Sequence, residues 1–118
     1  MKNEFDPNLP IYLQVMEEIK KDIFVGKYHC GDKIASVREL ALVYSVNPNT
    51  VQKALSELER TEIIYSKRAQ GRYVSEDINL INSLKKEVSN QKIQTFLNEM
   101  MEIGYDKNMI IKMIKELD

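Results

Sequence analysis

The stretch Ser36-Val37-Arg38-Glu39-Leu40-Ala41-Leu42-Val43-Tyr44-Ser45-Val46-Asn47-Pro48-Asn49-Thr50-Val51 decides the fold, because it holds two helix starts in quick succession. Ser36 and Glu39 stand at capping-box spacing. The serine hydroxyl can accept from the N3 amide while the glutamate reaches back to the amide of Ser36. A short helix is expected to follow through Leu40, Ala41 and Tyr44. Asn47 is then a strong N-cap. Pro48, which has no N–H to leave unsatisfied, suits the first helical position, so a second helix begins at once. Two short helices joined by a tight turn predict a helix-turn-helix. The second should bury Val51, Ala54, Leu55 and Leu58, which recur at spacings of three and four.

On the N-terminal side, Pro10 opens another helical pattern. Ile11, Val15, Ile19 and Ile23 recur every four residues, Tyr12, Met16 and Phe24 widen the stripe, and Gly26 is a stop signal. Residues 1–9 read as a loose arm, and His29-Cys30-Gly31-Asp32 as a turn. On the C-terminal side, Ile63–Lys67 and Arg72–Ser75 read as two short strands. Arg68-Ala69-Gln70-Gly71 supplies the turn between them, with Gly71 free to adopt positive φ. A hairpin directly after a helix-turn-helix is a wing. The expected fold class is mainly α with a small β-hairpin: a winged helix-turn-helix over residues 10–75, followed by a helical tail over 76–118.

In the tail, Ile81, Leu84, Val88, Ile93, Leu97, Met100 and Ile103 mark a long amphipathic helix from about residue 77 to 103, with a phase slip near Ser89-Asn90. Gly104 should end or bend it. Asp106 can cap a last helix carrying Met109, Ile110, Met113, Ile114 and Leu117. At 1.5 Å per residue the long helix would extend roughly 40 Å. A small winged helix cannot cover such a stripe, and leaving it bare invites aggregation. A twofold copy of the same chain is the economical cover. The homodimer is therefore expected to form through Ile81, Leu84, Val88, Ile93, Leu97 and Met100. The competing reading folds the tail back on its own domain.

Composition excludes several classes. The net charge of −1 gives no global argument for nucleic acid, so any DNA-binding face must come from local clustering. Cys30 is the only cysteine, which rules out an intrachain disulfide. No apolar run approaches the roughly 18 residues of a membrane span, so no membrane partner is expected. The N-terminus lacks the apolar core of a signal peptide, and a cytoplasmic protein is expected. His29 and Cys30 are neighbours in a turn with no second His or Cys partner. Neither a metal site, a cofactor nor a catalytic centre is expected, and the chain does not read as an enzyme. Oxidant sensing by Cys30 would need a resolving cysteine that the chain lacks.

The chemistry concentrates on the helix-turn-helix and the wing. Asn49, Thr50, Gln52, Lys53 and Ser56 point outward from the second helix. Asn and Gln can bond adenine bidentately, Thr can use its hydroxyl or methyl, and Lys suits a phosphate or a guanine edge. Lys67, Arg68 and Arg72 bring three positive charges to the wing with no acid among them, suiting phosphates or the minor groove. Arg38 could clamp the DNA backbone from the other side, and Ser36 with its helix N-terminus suits a phosphate. The bland reading of these positions is an ordinary solvated face. The rival function is a winged helix that docks on a protein and does not bind DNA, which the acidic balance slightly favours.

Pro10-Ile-Tyr-Leu-Gln14, Gly31-Asp-Lys-Ile-Ala-Ser-Val-Arg-Glu-Leu-Ala41, Val46-Asn-Pro-Asn-Thr-Val51, Ala54-Leu-Ser-Glu-Leu-Glu59 and Gly71-Arg-Tyr-Val74 resemble the GntR family of bacterial regulators at the family's spacing. The resemblance implies DNA contacts through Arg38, Asn47, Asn49, Thr50, Gln52, Gln70 and Gly71; Lys53 and Arg72 join them on charge alone. The short tail looks like that of the YtrA subgroup, which implies a dimer binding a near-palindromic double-stranded DNA operator, more often as a repressor. A small-molecule effector, if there is one, is expected between tail and winged helix, against Tyr105 and the methionines. Five positions depart from the family pattern. Cys30 and Ala35 stand where proline is common, and Thr61-Glu62 replaces a common Glu-Gly. Ala69 replaces the first of two wing glycines, which removes one source of positive φ at the wing tip.

Overall fold

The structure is a computed structural model and describes residues 5–118. Its elements run α1 (Ile11–Phe24), α2 (Val37–Tyr44), α3 (Pro48–Arg60), β1 (Ile64–Lys67), β2 (Gly71–Val74), α4 (Ile78–Glu102) and α5 (Lys107–Lys115). The chain divides into two compact units, Met1–Asn82 and Ser83–Asp118.

In the first unit α3 is the centre, with both α1 and α2 packed against it. Val51, Ala54, Leu55 and Leu58 of α3 meet Val15, Met16, Ile19 and Ile23 of α1 and Leu40, Ala41 and Tyr44 of α2 in one buried core. The caps form as their spacing dictates. Ser36 Oγ accepts from the Glu39 amide at 3.1 Å, and Glu39 returns the bond to the Ser36 amide at 3.0 Å. Asn47 Oδ1 accepts from the Asn49 amide at 2.7 Å. Between the helices Ser45 turns left-handed at φ 56°. Val46 can then donate back to the Ala41 carbonyl at 3.0 Å, which closes the turn.

β1 and β2 pair antiparallel, with Ile64 opposite Val74 and Lys67 opposite Gly71. A third short piece, absent from the sequence reading, lies on the other edge of β2. Lys33 bridges Tyr73, Ile34 donates to the Arg72 carbonyl, and Val74 donates to the Asp32 carbonyl, both at 2.8 Å. So the stretch read as a turn runs directly into a sheet edge. Its Ile34 enters the core at 2 % exposure.

The expected loose arm is tied down where it is described. Asp6 donates to Gln14 Oε1 at 2.7 Å, and Gln14 Nε2 donates to the carbonyls of Asp6 and Leu9 at 2.8 and 3.2 Å. Phe5 tilts against Tyr44 with ring centroids 6.1 Å apart. Residues 1–4 of that arm lie outside the described residues.

In the second unit α4 runs unbroken through Ser89 and Asn90, so the phase slip in the apolar pattern does not interrupt the backbone. Ser89 accommodates this by donating its hydroxyl to the Lys85 carbonyl at 3.0 Å. The helix stops at Gly104, whose φ of 101° suits glycine. Asp106 then caps α5 by accepting from the Met109 amide at 2.9 Å. Among the described residues, no helix is long and apolar enough to cross a membrane.

Candidate nucleic-acid interface

The start of α3, the start of α2 and the tip of the β1–β2 hairpin bring the expected contact residues to the surface of the first unit. Asn49, Gln52 and Lys53 are exposed on α3, and Thr50 is half-buried. Asn47 and Ser36 have prior duties: each holds a helix cap, so their side-chain oxygens are already engaged and their orientation is fixed. Glu39, fastened to the same N-terminus, is held below the usual carboxylate range by the Ser36 backbone amide, then by the Ser36 hydroxyl, with Lys33 adding a smaller pull. Arg38 is exposed. Among the described residues it has no ion-pair partner.

The cations divide into two groups that the sequence could not separate. Lys53 lays its ammonium 4.1 Å from the centre of the Tyr12 ring, and Lys67 lies 4.3 Å over Tyr73. Both charges therefore sit on an aromatic face of their own chain. Arg72, expected among the DNA contacts on charge alone, is paired with Glu59 at the end of α3, and its side chain is only 19 % exposed. Ser66 donates its hydroxyl to the same carboxylate at 2.8 Å. Burial pushes the Glu59 carboxyl up, but the bonds from Arg72 and Ser66 and the arginine charge outweigh it and hold the group below its ordinary range. Arg68 and Gln70 stay exposed at the wing tip.

Two backbone positions shape that tip. Gln70 donates to the Lys67 carbonyl at 2.9 Å, closing a four-residue turn. Ala69, at its third position, takes φ 63°, and Gly71 takes φ 111°. The wing thus keeps its positive φ where the sequence offers alanine. A cleft of about 280 Å³ separates the wing from the start of α2, lined among others by Ser36, Val37, Leu55, Gln70 and Gly71. Lys33 also lines it, and the sequence reading did not single that residue out.

The apolar tail residues also divide. Ile81, expected at a dimer interface, falls in the first unit and is 5 % exposed in the single chain, so its own chain already covers it. Leu84, Val88, Leu97 and Met100 are half-buried, while Ile93 is 56 % exposed. Phe96, Met101 and Ile103, together with Met109, Met113 and Ile114, are exposed as well. Tyr105 is half-buried. Among the described residues, no group of three or more His, Cys, Asp or Glu could hold a metal ion. Cys30 is exposed, and His29 lies 3.5 Å from the Asp32 carboxylate.

Two helices packed against a polar-faced α3, with a hairpin carrying Arg68 beside it, define a winged helix-turn-helix protein of the regulatory type. Residues 11–74 match the model of the gntR family, described as bacterial regulatory proteins. The chain belongs to that family, and it is a regulator, not an enzyme. It is 46 % identical over 76 residues to the HTH-type transcriptional repressor YtrA of Bacillus subtilis, covering 63 % of this chain and 58 % of YtrA. A GntR family transcriptional regulator from Listeria monocytogenes superposes with a TM-score of 0.92 at 43 % identity, covering 97 % of this chain and 100 % of that one. AraR(DBD) in complex with operator ORX1 superposes with a TM-score of 0.59 at 32 % identity, covering 64 % of this chain and 95 % of that chain.

Proposed function

We propose that the protein is a cytoplasmic transcriptional repressor that occupies a near-palindromic operator as a homodimer. The observation that carries this reading is the exposed start of α3. Asn49 and Gln52 are exposed there beside the half-buried Thr50, and Arg38 on α2 and Arg68 on the wing are exposed as well. An α-helix fits the major groove, and side chains of this type read base edges in it. Arg38 and the wing tip then hold the flanking phosphates. The likeness to AraR(DBD), solved with an operator, and to YtrA, named a repressor, supports the same reading.

The tail argues for the dimer. With 100° of rotation per residue, Leu84 and Val88 lie on one side of α4, whereas Ile93, Phe96, Leu97 and Met100 centre roughly 150° further round. The second set, with Met101 and Ile103 beyond it, leaves apolar surface in water that a second copy would cover. Two copies would offer two α3 helices to successive major grooves, which calls for inverted half-sites about one helical turn apart.

The test is a gel shift on duplex selected from a random pool, at two salt concentrations, beside sedimentation of the free protein. A dimer whose affinity falls steeply with salt is expected, since each phosphate contact releases counterions. A monomer indifferent to host genomic fragments at low ionic strength would overturn the reading in favour of a protein-docking module. The intramolecular engagement of Lys53, Lys67 and Arg72 is the feature that favours that alternative.

A further inference from the structure

Lys33 sits on the short sheet edge that sequence reading missed, and the bonds on either side of it fix its direction. Ile34 and Val74 donate to the carbonyls of Arg72 and Asp32, both at 2.8 Å, so this edge has strand geometry. Successive strand residues face opposite ways. Ile34 goes into the core, and Lys33 is exposed.

From there the lysine chain runs along β2 toward the wing tip. A Cβ placed on Gly71 would stand 3.2 Å from Lys33 Cε and 3.9 Å from its Nζ. A side chain at Gly71 would press on the end of the lysine chain, so the glycine leaves the ammonium room beside the hairpin. It shares the cleft with Ser36, Val37 and Gln70. The other cations nearby are engaged: Arg72 faces Glu59, and Lys67 covers Tyr73. Among the described residues, Lys33 has no carboxylate within ion-pair distance; Glu39 feels its charge from further off but spends its hydrogen bonds on the Ser36 cap, so no ion pair holds the ammonium.

We propose that Lys33 is a DNA-backbone contact, its ammonium holding a phosphodiester of the strand that passes between the wing and the start of α2. The proposal rests on the DNA-binding reading above and adds a residue to it. A phosphate seated there would meet Lys33 beside Gln70 and Gly71 on the wing side and Ser36, at the start of α2, on the helix side. The contact carries no base information, because a point charge on a phosphate reads position and not sequence.

The experiment uses the full chain and one selected duplex beside an unrelated duplex of equal length. Binding of the parent, Lys33→Met and Lys33→Arg is measured across a salt series, with thermal denaturation of each. Methionine keeps the aliphatic chain over Gly71 and removes only the charge. Lys33→Met should bind both duplexes about five- to tenfold more weakly and lower the slope of log affinity against log salt by about one, at unchanged melting temperature. Lys33→Arg should restore both. Parental affinity and slope in Lys33→Met would overturn the proposal while leaving the DNA-binding reading intact. A parent that binds neither duplex with a salt-dependent affinity would overturn both.

Discussion

Arg72 donates its Nε–H to the Glu59 carboxylate, which fastens the wing to the C-terminal end of the helix that would read DNA. The pair lies 13 residues apart in sequence, so it ties two elements that no local signal connects. Removing the acid leaves a guanidinium at 19 % exposure without its counter-charge. Glu59→Ala should therefore cost about 1–2 kcal/mol, above the range of an exposed pair and below that of a fully buried one. The pH dependence has a definite sign. Glu59 is held below its ordinary range when folded, so its contribution is present above the unfolded pKa and lost as pH falls through the folded value. Urea unfolding of parent and Glu59→Ala should show a gap that is constant near neutrality and closes with acidification below roughly pH 4. A gap that stays constant through acid would mean the carboxylate is not stabilised by the fold.

Glu62 and Ala69 carry positive φ, at 67° and 63°, without being glycine. An L side chain in the left-handed region crowds the following carbonyl at a cost of about 1–2 kcal/mol, while glycine carries a smaller entropic cost. Glu62→Gly and Ala69→Gly should each stabilise the protein by about 0.5–1 kcal/mol. Both are positions where the family pattern has glycine, so the chain keeps the backbone turn and bears the strain. Denaturant midpoints would check this. A fall in stability for either variant would show that the side chain contributes more than its backbone costs.

The contrast between these strained turns and the ion pair explains what was legible in the chain. Ser36, Asn47 and Asp106 announce their helices because a cap is satisfied within three residues. The core faces of α1 and α3 are legible because their apolar residues recur with the helical period. The Arg72–Glu59 pair, the Lys53–Tyr12 contact and the pinning of Asp6 by Gln14 join residues far apart or in irregular backbone. No periodicity marks them. The edge at Lys33 escaped for a different reason: a single bridge is too short to show alternation. Ile81 looked like the rest of the tail stripe, since a stripe gives the face of a helix and not what covers it.

Arg38 and Asn49 are both exposed, yet they should fail differently. Arg38→Ala should weaken binding to every duplex by about 1 kcal/mol and reduce the salt slope by about one, as loss of a phosphate contact does. Asn49→Ala should leave the slope alone and cost about 1–3 kcal/mol on the preferred site only, since a bidentate bond to a base edge is what discriminates. Affinity on matched and single-substituted duplexes separates the two. Equal losses for Asn49→Ala on all sequences would remove it from base readout.

Ile81 and Ile93 belong to one helix, but their exposures of 5 % and 56 % assign them different work. Ile81→Ala removes buried methyl groups from the first unit and should cost about 2–4 kcal/mol of stability. Ile93→Asp places a charge on a surface already in water, so it should leave a single chain's fold nearly unchanged. If a second copy covers that surface, the buried carboxylate would go unpaired and dimers would come apart. Sedimentation should then show monomers for Ile93→Asp and dimers for the parent. Operator affinity should fall about a hundredfold, because the second half-site no longer binds at the effective concentration a linked partner provides. An Ile93→Asp protein that sediments as the parent does would place the interface elsewhere. The exposed set on α5, Met109, Met113 and Ile114, would then be the next surface to charge.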